Sequence, residues 1–211
     1  MRGRFITIEG TEGVGKTTNI EYIKQWLDDH AISYVSTREP GGTPLAEEVR
    51  QLLLANREEK VCSKAELLMM FAGRAQHIDQ VIEPQLAKGN WVLCDRFTDA
   101  TYAYQGAGRE MGDELIKSLE TMVQGAMRPD LTLVLDVPVE LGLERAGKRS
   151  EPDRFEREKT DFFNRVRSAY LSMATNNPQR YKIIDASQNL EHVQLQIQAT
   201  LTSFLQKDHK G

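Results

Sequence analysis

The stretch that decides the fold lies near the start of the chain, where a strand-like segment leads into a glycine-rich turn and then into a helical pattern. Its residues are Phe5-Ile6-Thr7-Ile8-Glu9-Gly10-Thr11-Glu12-Gly13-Val14-Gly15-Lys16-Thr17-Thr18. Residues 10–18 fit the pattern GxxxxGK[ST], and a predicted strand before them and a predicted helix after them supply the context that a phosphate-binding loop requires. The stretch therefore predicts an α/β protein that binds a nucleoside triphosphate.

Each part of residues 10–18 has a chemical role toward a triphosphate. The glycines let successive backbone N–H groups point at phosphate oxygens, and the helix N-terminus adds partial positive charge. Lys16 is long enough to reach the β and γ phosphates, and the Thr17 hydroxyl is suited to bind Mg²⁺. We therefore expect residues 10–18 to bind the triphosphate, with Lys16 in a catalytic role.

The rest of the chain alternates short apolar runs with longer helical patterns. Strands are predicted at 5–8, 34–37, 91–94, 131–135 and 182–184, and several are apolar throughout, as in a buried parallel sheet. Helices are predicted at 15–29, 44–54, 64–88, 113–125, 138–147, 156–175 and 190–206. This alternation predicts one doubly wound α/β domain over residues 1–211, with helices on both faces and ligands at the carboxyl ends of the strands.

Helix start and stop signals agree with these boundaries. Ser63 to Glu66 forms a capping-box pattern, the Thr43-Pro44 pair places a cap before a first-turn proline, and Pro138 opens a later helix. Gly89 is expected to end the long helix.

Composition limits the classes of function. The 211 residues carry 27 Lys+Arg against 31 Asp+Glu, a net charge of -4, which argues against a protein that mainly coats nucleic acid. The apolar runs are far shorter than the roughly 18 residues of a membrane span, and no signal-peptide pattern precedes the first strand. Two cysteines, Cys62 and Cys94, are too few for a disulfide framework. We expect a cytoplasmic protein without membrane or nucleic-acid partners.

A second anion site is predicted beside the phosphate-binding loop. A P-loop kinase, unlike a P-loop hydrolase, needs arginines for a second ligand and a mobile cover that excludes water. Arg38 follows the second strand, and Asp95-Arg96 follow the third, so these side chains should emerge at the edge that carries the loop. An Asp in that position is also suited to hold Mg²⁺.

Four motifs, taken together and in order, closely resemble the thymidylate kinase family. They are Ile6-x-Ile8-Glu9-Gly10…Gly15-Lys16-Thr17-Thr18, Thr37-Arg38-Glu39-Pro40-Gly41-Gly42-Thr43, Phe71-Ala72-Gly73-Arg74-x-x-His77, and Asp95-Arg96-x5-Tyr102-Ala103-Tyr104-Gln105-Gly106. The resemblance extends from Arg4 to about Phe204. It implies a nucleoside monophosphate kinase fold with five parallel strands, and a homodimer. It also implies transfer of the γ phosphate of ATP to dTMP with Mg²⁺, giving ADP and dTDP in dTTP biosynthesis.

The resemblance places dTMP against residues 38–43, 71–77 and 95–106. It implies that Phe71 stacks on the thymine ring while Arg74, three residues further along one helix face, donates to O4. Thr101 falls where a polar side chain contacts the base edge. Tyr104 falls where a ring lies beside the sugar C2′ and disfavours a ribose hydroxyl. Gln105 is a further expected contact.

The phosphate side of the acceptor is also assigned by the resemblance. Arg96 binds the dTMP phosphate, a bidentate role that lysine cannot reproduce. Glu12 contacts the sugar 3′-hydroxyl or a phosphate-binding arginine. Glu39 helps to position Mg²⁺ or the acceptor phosphate, and a cis peptide bond is expected between it and Pro40.

The loop itself lacks a cation, because Gly13 and Val14 follow the acidic Glu12. In this acidic type of loop, which resembles that of the bacterial enzymes, the missing charge comes from a lid. The segment 145–157 holds five basic residues and is the expected lid. Arg149 is the first choice for the arginine that closes on the transferring phosphoryl group, and Arg154 is the second.

Two alternatives remain open from the residues alone. One is a kinase for another nucleoside monophosphate, and the other is a P-loop NTPase that acts as a switch or motor. The switch class is disfavoured because the sequence has no NKxD element. A small P-loop ligase would lack the block from Asp95 to Gly106.

Overall fold

One parallel sheet forms the centre of the molecule. The computed structural model describes residues 2–147 and 153–208. Its strands are β1 (Phe5–Glu9), β2 (Tyr34–Arg38), β3 (Trp91–Asp95), β4 (Leu131–Asp136) and β5 (Tyr181–Asp185), in the order β2-β3-β1-β4-β5. All five predicted strands are confirmed. In the register, Asp95 lies beside Ile8 on one side and beside Arg38 on the other, so the ends of the three strands meet at one edge.

Helices connect the strands. They are α1 (Lys16–Asp29), α2 (Pro44–Leu54), α3 (Ser63–His77), α4 (Glu83–Ala87), α5 (Thr98–Thr101), α6 (Asp113–Gln124), α7 (Val139–Ala146), α8 (Thr160–Asn176) and α9 (Leu190–Asp208), with π-helical segments at Ile78–Ile82 and Tyr102–Gly108. The predicted helix 64–88 is therefore one run made of α3, a π-helical turn and α4. The helix expected from 156 begins only at Thr160, and the helical segment from Thr98 to Gly108 was not predicted.

The two faces of the sheet are covered by different helices. Ile6 and Ile8 of β1 pack in a core with α1 and α9. Their neighbour Phe5 points to the other face and packs with Ile78 and Ile82. On that same face, Val134 of β4 packs against α8. The doubly wound fold is thereby confirmed, and among the described residues no helix is both long and apolar enough to cross a membrane.

The capping predictions are confirmed at three positions and wrong at one. Pro138 occupies the N-cap position of α7, directly before Val139. Thr43 caps α2, since its side chain accepts from Ala46 N, and Gly89 follows the end of α4 with φ +86°. The capping box at Ser63 is absent, because the N-cap position is Cys62 and no side chain caps the helix. Glu66 is instead fully buried and accepts a hydrogen bond from Gln105, so a tertiary partner replaces the local one.

Candidate active site

The phosphate-binding loop lies at the carboxyl end of β1. Gly13 has φ +70°, and a Cβ there would lie 1.9 Å from the carbonyl oxygen of Gly142, so a side chain does not fit. Lys16 Nζ lies 3.4 Å from Thr11 O. Burial, and then the nearby charge of Arg96, lowers the pKa of the Lys16 ammonium group below its ordinary value. A bound polyphosphate would offset both effects, since its negative charge favours the ammonium form.

A cavity of about 260 Å³ opens directly beside the loop. Its walls come from the loop, residues 39–40 after β2, the end of β3, α2, α3, α5 with the π-helical segment after it, and residues 153–156. The predicted residues on its wall are Glu12, Gly13, Val14, Gly15, Lys16, Thr17, Glu39, Arg74, Asp95, Arg96, Thr101, Tyr104 and Gln105. Further wall residues are Pro40, Arg50, Leu54, Met70, Phe97, Ala100, Asp153, Phe155 and Glu156. The fold therefore brings most of the predicted set together at one place.

Arg96, Glu12 and Tyr104 form one connected group on this wall. Arg96 Nη2 donates to Glu12 Oε1 at 2.7 Å, and the Tyr104 hydroxyl donates to the same oxygen at 2.9 Å. The Arg96 guanidinium also lies over the Tyr104 ring, 4.6 Å from its centroid. Burial alone would raise the pKa of Glu12, but the charges of Arg96 and Lys16 hold it below its ordinary value. Glu12 is thus an anion that orients Arg96.

A second group surrounds Arg74 in α3. Arg74 Nε donates to Glu39 Oε2 at 2.8 Å, and its Nη2 donates to the Thr101 hydroxyl at 3.0 Å. His77 Nδ1 lies 2.9 Å from Glu39 Oε1, and the peptide bond between Glu39 and Pro40 is cis, as predicted. Arg74 Nη1 is buried and has no partner among the described residues. A buried donor without a partner is costly, so this atom favours a ligand acceptor in the cavity.

Asp95 offers a carboxylate oxygen as a ligand for a metal ion. Its Oδ1 atom is buried and has no hydrogen-bond partner among the described residues, and both it and Thr17 lie on the cavity wall. Mg²⁺ is usually held by one or two carboxylate or hydroxyl oxygens together with phosphate oxygens and waters. The two side chains fit that ion.

The prediction that the Phe71 ring faces the ligand is wrong. The Phe71 side chain is 2% exposed and packs with Leu67 and Ile116, away from the cavity. Its ring supports the Arg74 guanidinium, which lies 4.8 Å from the ring centroid. Met70, the preceding residue, lines the cavity instead. Both residues are within one turn of Arg74, so helical spacing alone did not decide which of them faces the ligand.

Arg38 is also not on the cavity wall. Arg38 Nη2 pairs with Glu47 Oε2 at 2.8 Å in an exposed ion pair, beside an open groove next to Thr17 and Asp95. Arg50 of α2 takes the place on the wall, and its Nη1 donates to Pro40 O at 2.8 Å. Arg50 is not among the residues predicted for the site. A signal was present, because it lies four residues after Ala46 on the buried face of α2.

The two predicted lid arginines have different outcomes. Arg149 lies outside the described residues. Arg154 does not line the cavity, since its Nη1 pairs with the fully buried Glu66 at 2.7 Å and its Nε donates to Leu53 O at 2.8 Å. Reaching a phosphoryl group would leave the Glu66 charge without this partner, which is strongly unfavourable. In this arrangement Arg154 serves as an anchor.

The phosphate loop adjoins a cavity with further arginines, and both lie on a five-stranded parallel sheet. This combination defines a P-loop kinase of the nucleoside monophosphate kinase type. Comparisons with known proteins narrow this class. The family model described as thymidylate kinase matches residues 8–197. The chain belongs to the thymidylate kinase family.

Individual relatives agree along nearly the whole length. The thymidylate kinase of Teredinibacter turnerae is 59% identical over 205 residues, covering 97% of this chain and 100% of that protein. The thymidylate kinase of Pseudomonas putida strain GB-1 is 57% identical over 207 residues, covering 98% and 99%. A crystal structure of thymidylate kinase from Ehrlichia chaffeensis matches with a TM-score of 0.78 and 32% identity, covering 95% of this chain and 100% of the other.

Proposed function

We propose that this protein transfers the γ-phosphoryl group of ATP to dTMP, giving ADP and dTDP. Family membership supports the activity. The observation that carries the acceptor assignment concerns Arg74, which lies on the wall of the cavity beside the phosphate loop: its Nη1 atom is buried and has no partner among the described residues. A pyrimidine carbonyl oxygen would accept from this donor, and the nucleotide's phosphate would then extend toward the loop.

The donor side is formed by residues 10–18. Successive backbone N–H groups of the loop and the N-terminus of α1 bind the triphosphate, and Lys16 neutralises charge on the β and γ phosphates. Thr17 and Asp95 would hold Mg²⁺, which when bound neutralises phosphate charge and fixes the triphosphate in position. In-line transfer then depends on how the acceptor is held.

The acceptor side uses the remaining wall. Arg96 and Arg50 bind the dTMP phosphate as charge-assisted donors, and Glu12 keeps Arg96 in place. Arg74 and Thr101 contact the base edge, and Met70, in place of Phe71, covers a face of the base. Tyr104 lies beside the sugar. Its hydroxyl is committed to Glu12, so the ring presents an apolar surface to C2′.

A lid keeps water away from the transferring phosphoryl group. Arg149 is proposed to close on the transferring phosphoryl group, since the loop offers no cation at Gly13 or Val14. Charge that develops on the phosphoryl oxygens is then met by Lys16 and Arg149. We do not assign this role to Arg154, because its guanidinium group is paired with Glu66.

A homodimer is proposed for the assembly. Leu68 of α3 is 57% exposed, and Leu115 and Met122 of α6 are 40% and 74% exposed. These helices pack together, so their exposed apolar side chains offer one face for a second copy of the chain. Light scattering should give a dimer for the wild type and a shift to monomer for Met122→Lys, whereas Leu195→Lys on α9 should leave the mass unchanged.

The free Cys62 and Cys94 support a cytoplasmic location.

One assay tests the function against its alternatives. ADP formation from MgATP is measured without acceptor and with dTMP, dUMP, dCMP, dGMP and UMP in turn. The proposal expects dTMP to give the highest kcat/KM. Equal ADP formation without any acceptor would instead indicate an NTPase, and preference for another nucleotide would indicate a different monophosphate kinase.

A further inference from the structure

Glu66 of α3 is a buried carboxylate that the proposed mechanism does not use. Its side chain is 0% exposed and it is absent from the cavity wall. Gln105 Nε2 donates to Oε1 at 2.8 Å, and Arg154 Nη1 pairs with Oε2 at 2.7 Å. Arg109 contacts both oxygens, from Nε at 3.3 Å and from Nη2 at 3.4 Å. One carboxylate therefore joins three segments of the chain.

These contacts are not interchangeable. A buried carboxylate is tolerated only when cationic donors satisfy it, and losing one partner leaves a charge in a low-dielectric environment. Arg109 also pairs with Glu158 at 2.5 Å, so its charge is shared between two carboxylates. Arg154 has no second carboxylate partner among the described residues, and its other contacts are the carbonyl of Leu53 and the ring of Phe155. Glu66 is therefore the main electrostatic anchor of Arg154.

Arg154 lies in a short stretch, residues 153–156, that contributes Asp153, Phe155 and Glu156 to the cavity wall. Its backbone N–H donates to Leu54 O at 3.4 Å, which ties this stretch to the end of α2. Phe155 then turns into the cavity wall, with its ring centroid 6.1 Å from that of Tyr104. The position of Arg154 thus sets where this stretch meets the acceptor cavity.

The acceptor side is connected to the same carboxylate through Gln105. Gln105 is 1% exposed, lies on the cavity wall and follows Tyr104 directly in the π-helical segment. Its amide is oriented by Glu66. A change at Glu66 therefore reaches the cavity by two routes, one through residues 153–156 and one through the acceptor wall.

We propose that Glu66 is a positioning residue that holds residues 153–156 against the acceptor wall, so that this part of the cavity wall excludes water from the phosphoryl group while dTMP is bound. The inference rests on the proposed function. Without this anchor the wall beside the phosphoryl group is poorly placed, and water competes with dTMP. Glu66 acts through Arg154 and Gln105 and does not itself contact the substrate.

The test measures where the phosphoryl group goes. With saturating MgATP and dTMP, ADP and dTDP are both quantified, and the excess of ADP over dTDP reports transfer to water. For Glu66→Gln we expect kcat for dTDP to fall at least about tenfold and the ratio of hydrolysis to transfer to rise at least about fivefold. A residue that only stabilises the fold would lower active enzyme without changing this ratio.

Glu120→Gln is the matched control. Glu120 is also buried, at 7% exposure, pairs with Arg128 at 3.0 Å and accepts from Tyr102 of the same π-helical segment at 2.8 Å. It makes no contact with residues 153–158 in the hydrogen bonds and ion pairs described. Its hydrolysis-to-transfer ratio should stay within about twofold of the wild type. An equal rise in both variants would overturn the proposal.

Arg154→Gln keeps the proposal testable if Glu66→Gln fails to fold, because Glu66 then retains Arg109. It should raise the same ratio. The double variant should show little further change beyond Glu66→Gln, since that substitution already removes the charge that pairs with Arg154. Additive effects, or a wild-type ratio in Arg154→Gln, would overturn the proposal. If the wild type prefers another acceptor, the proposed function fails, yet the ratio measured with that acceptor still decides the role of Glu66.

Discussion

Arg74 shows how a single side chain is prepared for a ligand before the ligand arrives. Its guanidinium lies between the rings of Phe71 and Phe97, 4.8 Å and 5.2 Å from their centroids. Glu39 and Thr101 hold two of its nitrogens, so the third has a fixed direction. A donor that is already ordered loses little side-chain entropy when a base binds.

Arg74→Ala should therefore weaken use of dTMP strongly. The substitution removes the unpartnered donor and leaves Glu39 without its cation, so we expect kcat/KM for dTMP to fall by a factor of roughly 10 to 1,000. Steady-state kinetics with dTMP as the varied substrate measure this. Arg2→Ala, which removes an ion pair with Asp130 at the opposite end of the sheet, is the control and should behave as the wild type. Wild-type kcat/KM in Arg74→Ala would refute the base contact.

At this scale, the sequence motifs located two arginines of the cavity wall but not the apolar residue beside them. Arg96 and Arg74 belong to motifs, and both lie on the cavity wall. Phe71 and Met70 are adjacent on one helix, and only packing against Leu67 and Ile116 decides that Phe71 turns inward. Arg50 has no motif of its own, since a single arginine on an amphipathic helix is usually a surface residue.

Among the elements, the phosphate loop and α7 approach each other backbone to backbone. A Cβ at Gly13 would lie 1.9 Å from Gly142 O, and a Cβ at Gly142 would lie 2.6 Å from Glu12 O. Neither position has room for a side chain. An arginine at position 13 therefore cannot substitute for a lid arginine.

Gly13→Ala should disrupt the loop. The new methyl group overlaps backbone atoms of α7 and also forces a non-glycine residue to φ +70°, so we expect loss of binding of a non-hydrolysable ATP analogue by at least about tenfold, or about 1.4 kcal/mol. Calorimetric titration measures this affinity. Gly73→Ala is the control, because the nearest atoms to a Cβ there are 3.7 Å away and helix propensity favours alanine. Unchanged affinity in Gly13→Ala would contradict the steric argument.

Element boundaries followed the sequence where local signals act alone. The Thr43 cap and the Gly89 stop are local, and both were predicted correctly. α3 begins within one residue of its predicted start but lacks the predicted capping box, since Glu66 is drawn into a buried cluster with Gln105 and Arg154. The helix after β3 was also missed, because its Thr- and Gly-containing sequence lacks a helical apolar pattern.

At the scale of the whole molecule, one buried carboxyl group connects distant segments. It belongs to Glu9, the last residue of the central strand β1. It accepts from the backbone N–H of Phe97 at 2.7 Å and from the Tyr170 hydroxyl at 2.8 Å, which joins β1, the loop after β3 and α8. Burial, and then the negative charge of Asp99, raises its pKa from 4.5 to about 8. The folded protein therefore favours the protonated acid near neutral pH.

This raised pKa predicts how stability changes with pH. Between about pH 5 and 8 the folded state keeps a proton on Glu9 that the unfolded state releases, so the free energy of unfolding falls as pH rises through this window and levels off above it. Glu9→Gln, which is neutral at every pH, should flatten the slope. Urea unfolding at pH 5.5, 7.0 and 8.5 compares the two proteins. Equal slopes would show that Glu9 does not hold this proton.

The overall architecture was largely predictable, and the buried polar network was not. Alternating apolar runs and the loop pattern determine a parallel sheet with helices on both faces. The order β2-β3-β1-β4-β5 depends on long-range pairing that periodicity does not contain. Glu9 belongs to the first family motif, but no sequence pattern indicated its partners Phe97 and Tyr170, which are far away along the chain.

The described residues on either side of positions 148–152 are held in place, which bears on the role proposed for Arg149. Gly142 is fixed against the phosphate loop, and Arg154 is fixed against Glu66. Arg149 is five residues from Arg154, so even an extended chain keeps their Cα atoms within about 18 Å. A tethered group of this kind has an effective concentration in the millimolar range or above.

If Arg149 is replaced by alanine, free guanidinium ion must therefore reach comparable concentrations to take over the role of the lost side chain. In Arg149→Ala, single-turnover transfer to dTMP should fall by about 10³-fold or more, and guanidinium chloride should restore part of the rate only from millimolar concentrations upward. Equimolar sodium chloride controls for ionic strength. Rescue at micromolar guanidinium would mean that the tether confers no such advantage, and a rate loss of less than about tenfold would mean that Arg149 does not meet the charge of the transferring group.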